Sequence, residues 1–325
     1  MDTKFIDIHC HVNDKAFNDD REATLLRMEE SGVAGIVIGT DVEMSAEAVR
    51  LANTKQYLWA AVGQHPVDRL DEVFEPAVYR TFAADPRVVA IGECGLDYYW
   101  PSKSNWARDP QNQHIAALSA AGASGQDNSS SPLQHSSPTP RTVFDSESLE
   151  TRMQEEKKRQ KDLFAAQIAL AVEMDKPLML HGRPSLARAS SAVGPKSVDA
   201  YEDMLDVLRK AHETHGTTVR GNVHFFVGDS VIAESFFALG FTISFTGVIT
   251  FTHDYDEVIK KAPLECMMAE TDAPYVSPAP YRGKRNEPIH VREVVKRIAE
   301  IRGEDEDVVR QVMLANAGRI FGLCI

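Results

Sequence analysis

The sequence predicts a single α/β domain folded as a (β/α)8 barrel. Eight short apolar runs alternate with segments of helical periodicity along the 325 residues. Each run is rich in Val, Ile and Phe and is almost continuously apolar, which is typical of strands covered on both faces. A doubly wound open sheet is the alternative that the same alternation allows.

The predicted elements follow one another in a regular order. The strands are predicted at residues 5–11, 35–39, 59–63, 88–92, 178–181, 222–225, 241–245 and 266–270. Helices are predicted between them, most clearly at residues 21–31, 162–175 and 201–213. In the second of these helices, Phe164, Ile168, Ala171 and Val172 recur at spacings that place them on one face.

Two stretches interrupt this alternation. Residues 102–148 are dominated by Ser, Pro, Ala, Gly and Gln. Because such a composition buries too little apolar surface to offset its ordering entropy, we expect a disordered insertion between the fourth strand and its helix. Residues 189–198 are predicted to be a shorter loop insertion. The expected organisation is therefore one barrel domain over residues 1–325, carrying these two insertions.

Composition limits the class of protein. Hydrophobic residues make up 43% and charged residues 26% of the chain, as in ordinary globular proteins. No apolar run approaches the roughly 18 residues that a membrane span requires. The first predicted strand begins at Phe5, so we expect no signal peptide. The four cysteines are scattered without a CxxC motif, so we expect a reduced compartment, the cytoplasm or the nucleus.

The first predicted strand ends in a pattern that suits metal binding. Side chains on a strand alternate between faces, so Asp7, His9 and His11 share one face while Ile8 and Cys10 take the other. Two imidazoles on one face at a strand end form a chelating pair. Asp7 is predicted either to accept a hydrogen bond from an imidazole N–H or to be a satisfied carboxylate of the core.

Four further ligand candidates stand at the carboxyl ends of other predicted strands. Glu93 follows strand four, His181 ends strand five, His224 lies in strand six and Asp272 follows strand eight. In a closed barrel these ends meet at one mouth, where barrel enzymes keep their chemistry. Four imidazoles and two carboxylates are too many for one tetrahedral ion and favour a centre of two divalent ions.

A set of ordered motifs gives this chain a family resemblance. Besides the His-x-His strand they are Gly63-Gln64-His65-Pro66, Gly92-Glu93-Cys94-Gly95-Leu96-Asp97-Tyr98-Tyr99, Gln160-Lys161-Asp162-Leu163-Phe164, Ser244-Phe245-Thr246-Gly247, Glu270-Thr271-Asp272-Ala273-Pro274-Tyr275, Tyr281-Arg282-Gly283-Lys284-Arg285-Asn286-Glu287-Pro288 and Asn316-Ala317-Gly318-Arg319-Ile320-Phe321. Together they resemble the TatD family of metal-dependent deoxyribonucleases, within the amidohydrolase-like barrels.

The resemblance implies a ligand set and an activity. It implies that the metal ligands are His9, His11, Glu93, His181, His224 and Asp272. It implies a hydrolase supported by magnesium, manganese or zinc that acts on DNA, often as a 3′→5′ exonuclease. Two ions about 3.5–4 Å apart would neutralise the phosphate, activate a water and hold the leaving oxygen. Glu93 is the best candidate to bridge them, and Asp272 is either a pure ligand or also orients the attacking water.

Other residues carry weaker predictions. His65 is expected to contact phosphate or to pack in its loop, and Asp97 and Tyr99 to line the groove or to pack. Glu270 shares the face of Asp272 and could touch a further metal. Cations next to the mouth are expected to contact backbone phosphates or to lie in solvated loops. They are Arg183, Arg282, Lys284 and Arg285.

Three departures from the family pattern concern substrate contacts. Asn13 stands where Asp is frequent, Gly182 where Ser is common, and Val227 where a Ser hydroxyl is usual. The lost Ser hydroxyl and the acidic charge of the chain keep a second function open, hydrolysis of another ester such as a small phosphoester or an aminoacyl-tRNA. A third alternative is a non-catalytic interaction protein that binds through the insertion.

The net charge of −13 and the pI near 5.3 argue against a general basic grip on nucleic acid. They do not exclude a phosphodiester held in a cleft by metal ions and local cations. No membrane contact and no obligate protein partner are expected.

Overall fold

Eight parallel strands form one sheet in sequence order. The computed structural model describes residues 2–68, 73–100, 146–186 and 197–325. The strands are β1 Phe5–Cys10, β2 Val33–Ile38, β3 Leu58–Val62, β4 Val88–Asp97, β5 Leu178–Arg183, β6 Gly221–His224, β7 Phe241–Phe245 and β8 Met267–Ala269. Each strand pairs in parallel with the next, from β1 to β8.

Helices connect the strands and cover the outside of the sheet. They are α1 Arg21–Glu30, α2 Val42–Ala52, α3 Pro76–Ala83, α4 Ser146–Glu173, α5 Asp199–His215, α6 Ser230–Ala238, α7 Asp256–Lys261, α8 Val291–Arg302 and α9 Glu306–Phe321. Asp side chains begin three of them by accepting backbone N–H groups of the first turn: Asp41 for α2, Asp229 for α6 and Asp305 for α9. None of the helices in the described ranges is both long and apolar enough to span a bilayer.

Backbone hydrogen bonds close the sheet between β1 and the segment that follows β8. The N–H of His11 donates to Ala273 O at 2.7 Å, and the N–H of Asp272 donates to His9 O at 3.0 Å. An open sheet would leave these two edges apart. The predicted (β/α)8 barrel is therefore confirmed, and the doubly wound alternative is wrong.

The strands are buried on both faces, which explains their continuous apolar character. Every residue of β2 and of β4 is buried. Inside and outside the barrel, side chains such as Ile8, Val37, Met179 and Ile243 have no exposed surface. Burial of each such side chain stabilises the fold by about 1.5–3 kcal/mol. The strand ends therefore project from a rigid base.

Most predicted strand and helix boundaries differ from the structure by one to a few residues, and two differences are larger. Glu93 lies within β4, which continues to Asp97, rather than after the strand. Helix α4 begins at Ser146, so the last residues of the predicted insertion 102–148 belong to it, and residues 102–145 lie outside the described part. Of the predicted loop 189–198, residues 189–196 also lie outside it. The first half of α4 is rich in Glu, Lys and Arg, so it lacks the apolar periodicity by which the second half was predicted.

Candidate metal centre

The end of β1 meets the segment after β8 at the centre of the mouth. His9 Nε2 and His11 Nε2 are 3.2 Å apart. Asp272 Oδ1 lies 3.7 Å from the first of these nitrogens and 3.4 Å from the second. The hydrogen bonds that close the barrel hold these three residues side by side.

A local irregularity of β4 aims Glu93 into this cluster. Pairing with β5 shifts register between Ile91 and Cys94, as in a β-bulge that re-aims a side chain. Glycines on either side allow the close approach of the two strands. A Cβ atom on Gly92 would lie 2.4 Å from Met179 O, and one on Gly95 would lie 2.2 Å from His181 O. Glycine is therefore required on both sides of Glu93.

The two oxygens of Glu93 face different pairs of histidines. Oε2 lies 3.4 Å from His9 Nε2 and 3.8 Å from His11 Nε2. Oε1 lies 2.8 Å from His181 Nδ1 and 2.8 Å from His224 Nε2. The two nitrogens of this second pair are themselves 3.2 Å apart. One buried carboxylate thus stands between two imidazole pairs.

These contacts shift the pKa values of the cluster. Burial alone would raise the pKa of Glu93, but the charges of His224 and His9 outweigh burial and hold it well below its ordinary value. Asp272 shows the same pattern, with His11 as its main partner. Burial opposes the charge on His11 and His224, yet the neighbouring carboxylates raise the pKa of both. Burial and the charge of His224 lower the pKa of His9. The carboxylates are therefore ionised and suited to hold cations.

All six predicted metal ligands meet in this one cluster. Potential ligand atoms form four groups of three, and the three atoms of each group lie within 4.8 Å of one another. The groups are His9, His11 and Glu93; His9, His224 and Asp272; His65, Asp97 and His181; and Glu93, His181 and His224. Buried imidazole nitrogens that converge on carboxylates form a donor set that could bind a divalent cation.

His65 and Asp68 form an ion pair at the edge of the cluster. His65 Nδ1 lies 2.8 Å from Asp68 Oδ1, and His65 Nε2 lies 3.8 Å from Glu93 Oε1. Burial would lower the pKa of His65, but the carboxylates of Asp68 and Glu93 raise it to about 9. Asp68 was not predicted from the sequence. Its position three residues after His65 was only a weak indication that the two side chains form an ion pair.

Asp97 links the cluster to the loop that follows β4. Its Oδ2 lies 3.2 Å from His181 Nε2. Its Oδ1 accepts the backbone N–H groups of Tyr99 at 3.0 Å and Trp100 at 3.3 Å. One carboxylate therefore positions both an imidazole of the cluster and two aromatic residues at the mouth.

Two buried glutamines of α4, to which sequence analysis gave no role, bind the backbone near the cluster. Gln160 accepts the N–H of Asp97 at 2.8 Å and donates to Asp97 O at 2.9 Å. Gln167 makes the same pair of bonds with Gln64, both at 2.8 Å. Because Gln64 precedes His65, the helix positions two loops of the mouth. Gln160 begins the motif that ends at Phe164, and this was the only feature of the sequence that pointed to either glutamine.

Asp7 and Glu270 support the cluster from behind. Asp7 accepts the N–H of Thr271 at 2.9 Å and that of His9 at 3.2 Å, so it is a satisfied carboxylate of the core rather than a partner of an imidazole. Glu270 Oε1 lies 3.5 Å from His224 Nδ1, the nitrogen directed away from Glu93. Glu270 also accepts from Phe225 N at 2.6 Å and Ser244 Oγ at 2.9 Å. It therefore lies behind His224, and no group of candidate ligands in the described ranges includes it.

The predicted cations differ in their partners. Arg285 donates to Asp20 at 2.6 and 2.7 Å and to Glu287 at 3.3 Å, so carboxylates occupy its guanidinium. Arg282 donates to Ser277 O at 3.0 Å and lies 3.9 Å over the ring of Phe251. Lys284 is exposed and has no ion pair with another described residue. Arg183 lies over Tyr99 and Trp100, next to Asp97.

Comparison with known proteins identifies the family. The model of the TatD related DNase family matches residues 6–122 and 148–322. The chain belongs to the TatD related DNase family. It is therefore a hydrolase of this family. It is 29% identical to the uncharacterized metal-dependent hydrolase YabD of Bacillus subtilis, over 97% of this chain and 98% of that protein. It is also 29% identical to the 3′-5′ ssDNA/RNA exonuclease TatD of Pectobacterium parmentieri, over 98% of this chain and 99% of that protein.

Solved structures agree with this assignment. The crystal structure of YjjV, a TatD homolog from Escherichia coli K12, aligns over 100% of both chains with a TM-score of 0.72 and 26% identity. A TatD family hydrolase from Entamoeba histolytica aligns with a TM-score of 0.68 over 99% of both chains, and at 17% identity it supports the fold alone.

The departures from the TatD pattern have structural partners in this chain. Asn13 donates through Nδ2 to Ile38 O at 2.9 Å and to Met44 O at 3.0 Å, which an aspartate cannot do. At Gly182 a Cβ atom would lie 2.4 Å from Tyr201 Cε1. The hydroxyl of Tyr201 accepts the N–H of Val227 at 3.0 Å. Two of the three departures therefore meet at one tyrosine.

Proposed function

We propose that this TatD family hydrolase is a metal-dependent phosphodiesterase that degrades DNA as a 3′→5′ exonuclease. The observation that carries the proposal is the placement of Glu93, whose two oxygens face separate histidine pairs. A carboxylate that bridges two cations needs this arrangement. Two-cation centres are a common solution for phosphodiester hydrolysis, because the substrate is anionic and its leaving alkoxide is poor.

The donor set fits two divalent ions. His9, His11, Glu93 and Asp272 would hold one, and Glu93, His181 and His224 would hold the other. Mixed imidazole and carboxylate ligands suit zinc or manganese, and magnesium through the carboxylates. When bound, such ions neutralise the phosphate, acidify water and stabilise the leaving oxygen. The ionised state of Glu93 and Asp272 in the absence of metal supports this assignment.

The remaining groups of the cluster act on the substrate in this proposal. Asp272 orients the attacking water and accepts its proton, since its side chain is 15% exposed and that of Glu93, the other carboxylate among the proposed ligands, is 5% exposed. His65, whose pKa the carboxylate of Asp68 helps to raise to about 9 in the metal-free protein, contacts a phosphate oxygen. Asp97 and Glu270 keep His181 and His224 in position. The net charge of −13 makes these local charges decisive for binding an anionic polymer.

The comparisons support this reading of the substrate. The family model is described as a DNase, and the relative from Pectobacterium parmentieri is named a 3′-5′ ssDNA/RNA exonuclease. Several other relatives are named only as metal-dependent hydrolases. The family and the cluster both support the class of reaction. The family model and one relative support DNA as the substrate, and that relative alone supports the 3′→5′ polarity.

The test is hydrolysis of a single-stranded oligonucleotide by the full chain, labelled at either end. We expect degradation with Mg, Mn or Zn and none after EDTA treatment. A 5′ label should pass through a ladder of shortening products, whereas a 3′ label should appear at once as mononucleotide. The reverse pattern would reject the polarity. Hydrolysis of bis(4-nitrophenyl) phosphate without any hydrolysis of DNA would indicate a small phosphoester instead.

A further inference from the structure

We propose that Arg183, Tyr99 and Trp100 bind one nucleotide of a single-stranded nucleic acid beside the metal centre. We call these three residues the aromatic–arginine stack. The inference rests on the proposed phosphodiesterase function and assigns to it a substrate-binding surface that selects single strands.

In the aromatic–arginine stack, the guanidinium of Arg183 contacts two aromatic rings and no described hydrogen-bond partner. Arg183 Cζ lies 3.8 Å from the ring centroid of Tyr99 and 5.4 Å from that of Trp100. The two rings pack edge to face with centroids 5.2 Å apart. Within the described part of the chain, the guanidinium of Arg183 forms no hydrogen bond and no ion pair. No other described residue occupies its N–H groups, which can donate to a phosphate, in contrast to those of Arg285, which carboxylates occupy.

The stack is fixed at a defined distance from the cluster. In the pairing of β4 with β5, Gly95 lies opposite His181 and Asp97 lies opposite Arg183. Arg183 is thus two residues beyond His181, on the same face of the strand and about 6.6 Å further along. This is close to the separation of neighbouring phosphates in an extended single strand. Asp97 ties the two together, because it contacts His181 and accepts the N–H groups of both aromatic residues.

The chemistry of these groups selects single strands. Every nucleobase has a flat face that stacks on aromatic rings or on a guanidinium, and such stacking does not depend on sequence. In a duplex these faces are already covered by neighbouring base pairs. The strongly acidic chain offers no broad basic surface for the duplex backbone. A strand held at the stack would place its next phosphate over the cluster.

The test measures binding separately from turnover. Anisotropy of a short fluorescein-labelled oligothymidine reports binding to the full chain in EDTA, and hydrolysis is measured in parallel with metal. We expect Arg183→Met and Trp100→Leu to weaken oligonucleotide binding about 10-fold. Arg183→Lys keeps the charge but loses the planar stack, so it should not restore binding fully. Thermal unfolding of each variant checks that the barrel is intact.

Two controls make the outcome specific. Arg310 lies 5.7 Å over Phe5 at the opposite end of the barrel, and Arg310→Met should bind like the wild type. An oligonucleotide with abasic sites should bind the wild type more weakly than the intact oligonucleotide does. Because it lacks a base that could stack, it should bind Trp100→Leu almost as well as it binds the wild type. Equal binding by wild type and both stack variants, or equal binding of duplex and single strand, would overturn the proposal. If the stack variants lose binding while the wild type hydrolyses no DNA, the proposed function fails and the binding site stands.

Discussion

The ring of Tyr201 packs directly on the backbone of Gly182 beside the candidate metal centre, so that a Cβ atom on residue 182 would lie 2.4 Å from Tyr201 Cε1. The phenol oxygen of Tyr201 in turn accepts the N–H of Val227, three residues after His224. The ring of Tyr201 also packs against Phe226, with centroids 5.4 Å apart. A glycine in β5 thus admits a tyrosine from α5 that holds the loop after β6.

The first prediction concerns this pair. Gly182→Ser should destabilise the protein by about 1–3 kcal/mol, because the added side chain must displace a fully buried ring. Urea unfolding measures the loss. Tyr201→Phe keeps the ring and removes only the hydrogen bond, so it should cost about 1–2 kcal/mol. A Gly182→Ser variant as stable as the wild type would show that the ring moves freely.

The second prediction tests the proposed bridging role of Glu93 against the supporting role of Asp97. Glu93→Gln keeps the shape but removes the charge between the two histidine pairs. Metal content should fall and DNA hydrolysis should drop by orders of magnitude. Asp97→Asn removes a charge beside His181 and keeps an oxygen that can accept the N–H groups of Tyr99 and Trp100. Loss of such a supporting partner typically costs roughly 10–100-fold.

Metal analysis and hydrolysis are measured side by side for both variants, with the exposed Glu173→Gln as a matched control. If Glu93→Gln retains the metal content of the wild type and near-normal turnover while Asp97→Asn loses both, the bridging role does not belong to Glu93.

The third prediction concerns the glutamines of α4. Gln160→Leu leaves the buried backbone N–H and C=O of Asp97 unpaired. We expect the free energy of unfolding to fall by at most about 1–3 kcal/mol for each of these two groups. Metal affinity should fall as well, because Asp97 contacts His181. Gln154 is exposed on the same helix, and Gln154→Leu should change neither quantity. Unchanged stability of Gln160→Leu would mean that water replaces the amide.

The fourth prediction is a pH dependence of the metal-free protein. Folding raises the pKa of His65 from 6.5 to about 9. The folded state therefore binds this proton more tightly than the unfolded state. The resulting stability is complete below pH 6.5 and is lost as the pH rises toward 9. In EDTA, the contribution of His65 to the free energy of unfolding should fall by on the order of 3 kcal/mol across this window. His11 and His224, whose pKa values are also raised, add to the decline.

Asp68→Asn should flatten this decline, since Asp68 is the main partner that raises the pKa of His65. The matched control is Asp256→Asn, which removes the partner of the exposed His253 and should leave the slope unchanged. The same slope in Asp68→Asn and wild type would assign the decline to other histidines.

The fifth prediction concerns the proposed insertion. The family model leaves residues 123–147 unmatched, and their composition makes no core. Replacing residues 123–145 by a short flexible linker should leave folding and DNA hydrolysis largely intact, because the cost of closing a loop grows slowly with its length. Thermal unfolding and oligonucleotide hydrolysis measure the outcome. Loss of soluble protein would show that the segment packs on the barrel.

The sequence by itself determined the barrel and the identity of the clustered side chains. Strands buried on both faces must be apolar along their whole length, so periodicity revealed all eight of them. His9, His11, Glu93, His181, His224 and Asp272 stand at or near strand ends, and parallel topology brings such ends to one mouth. Polar helix α4 was predicted only in part, because its first half has no apolar stripe.

Only the tertiary structure decided how these side chains face one another. The bulge that aims Glu93, the position of Glu270 behind His224 and the pairing of Arg285 with Asp20 depend on contacts between distant segments. The local sequence pattern carries no information on such contacts, because the same residue types at the same spacing occur both in solvated loops and in functional sites. Periodicity reports which face is buried, whereas the partner across the barrel is set by packing.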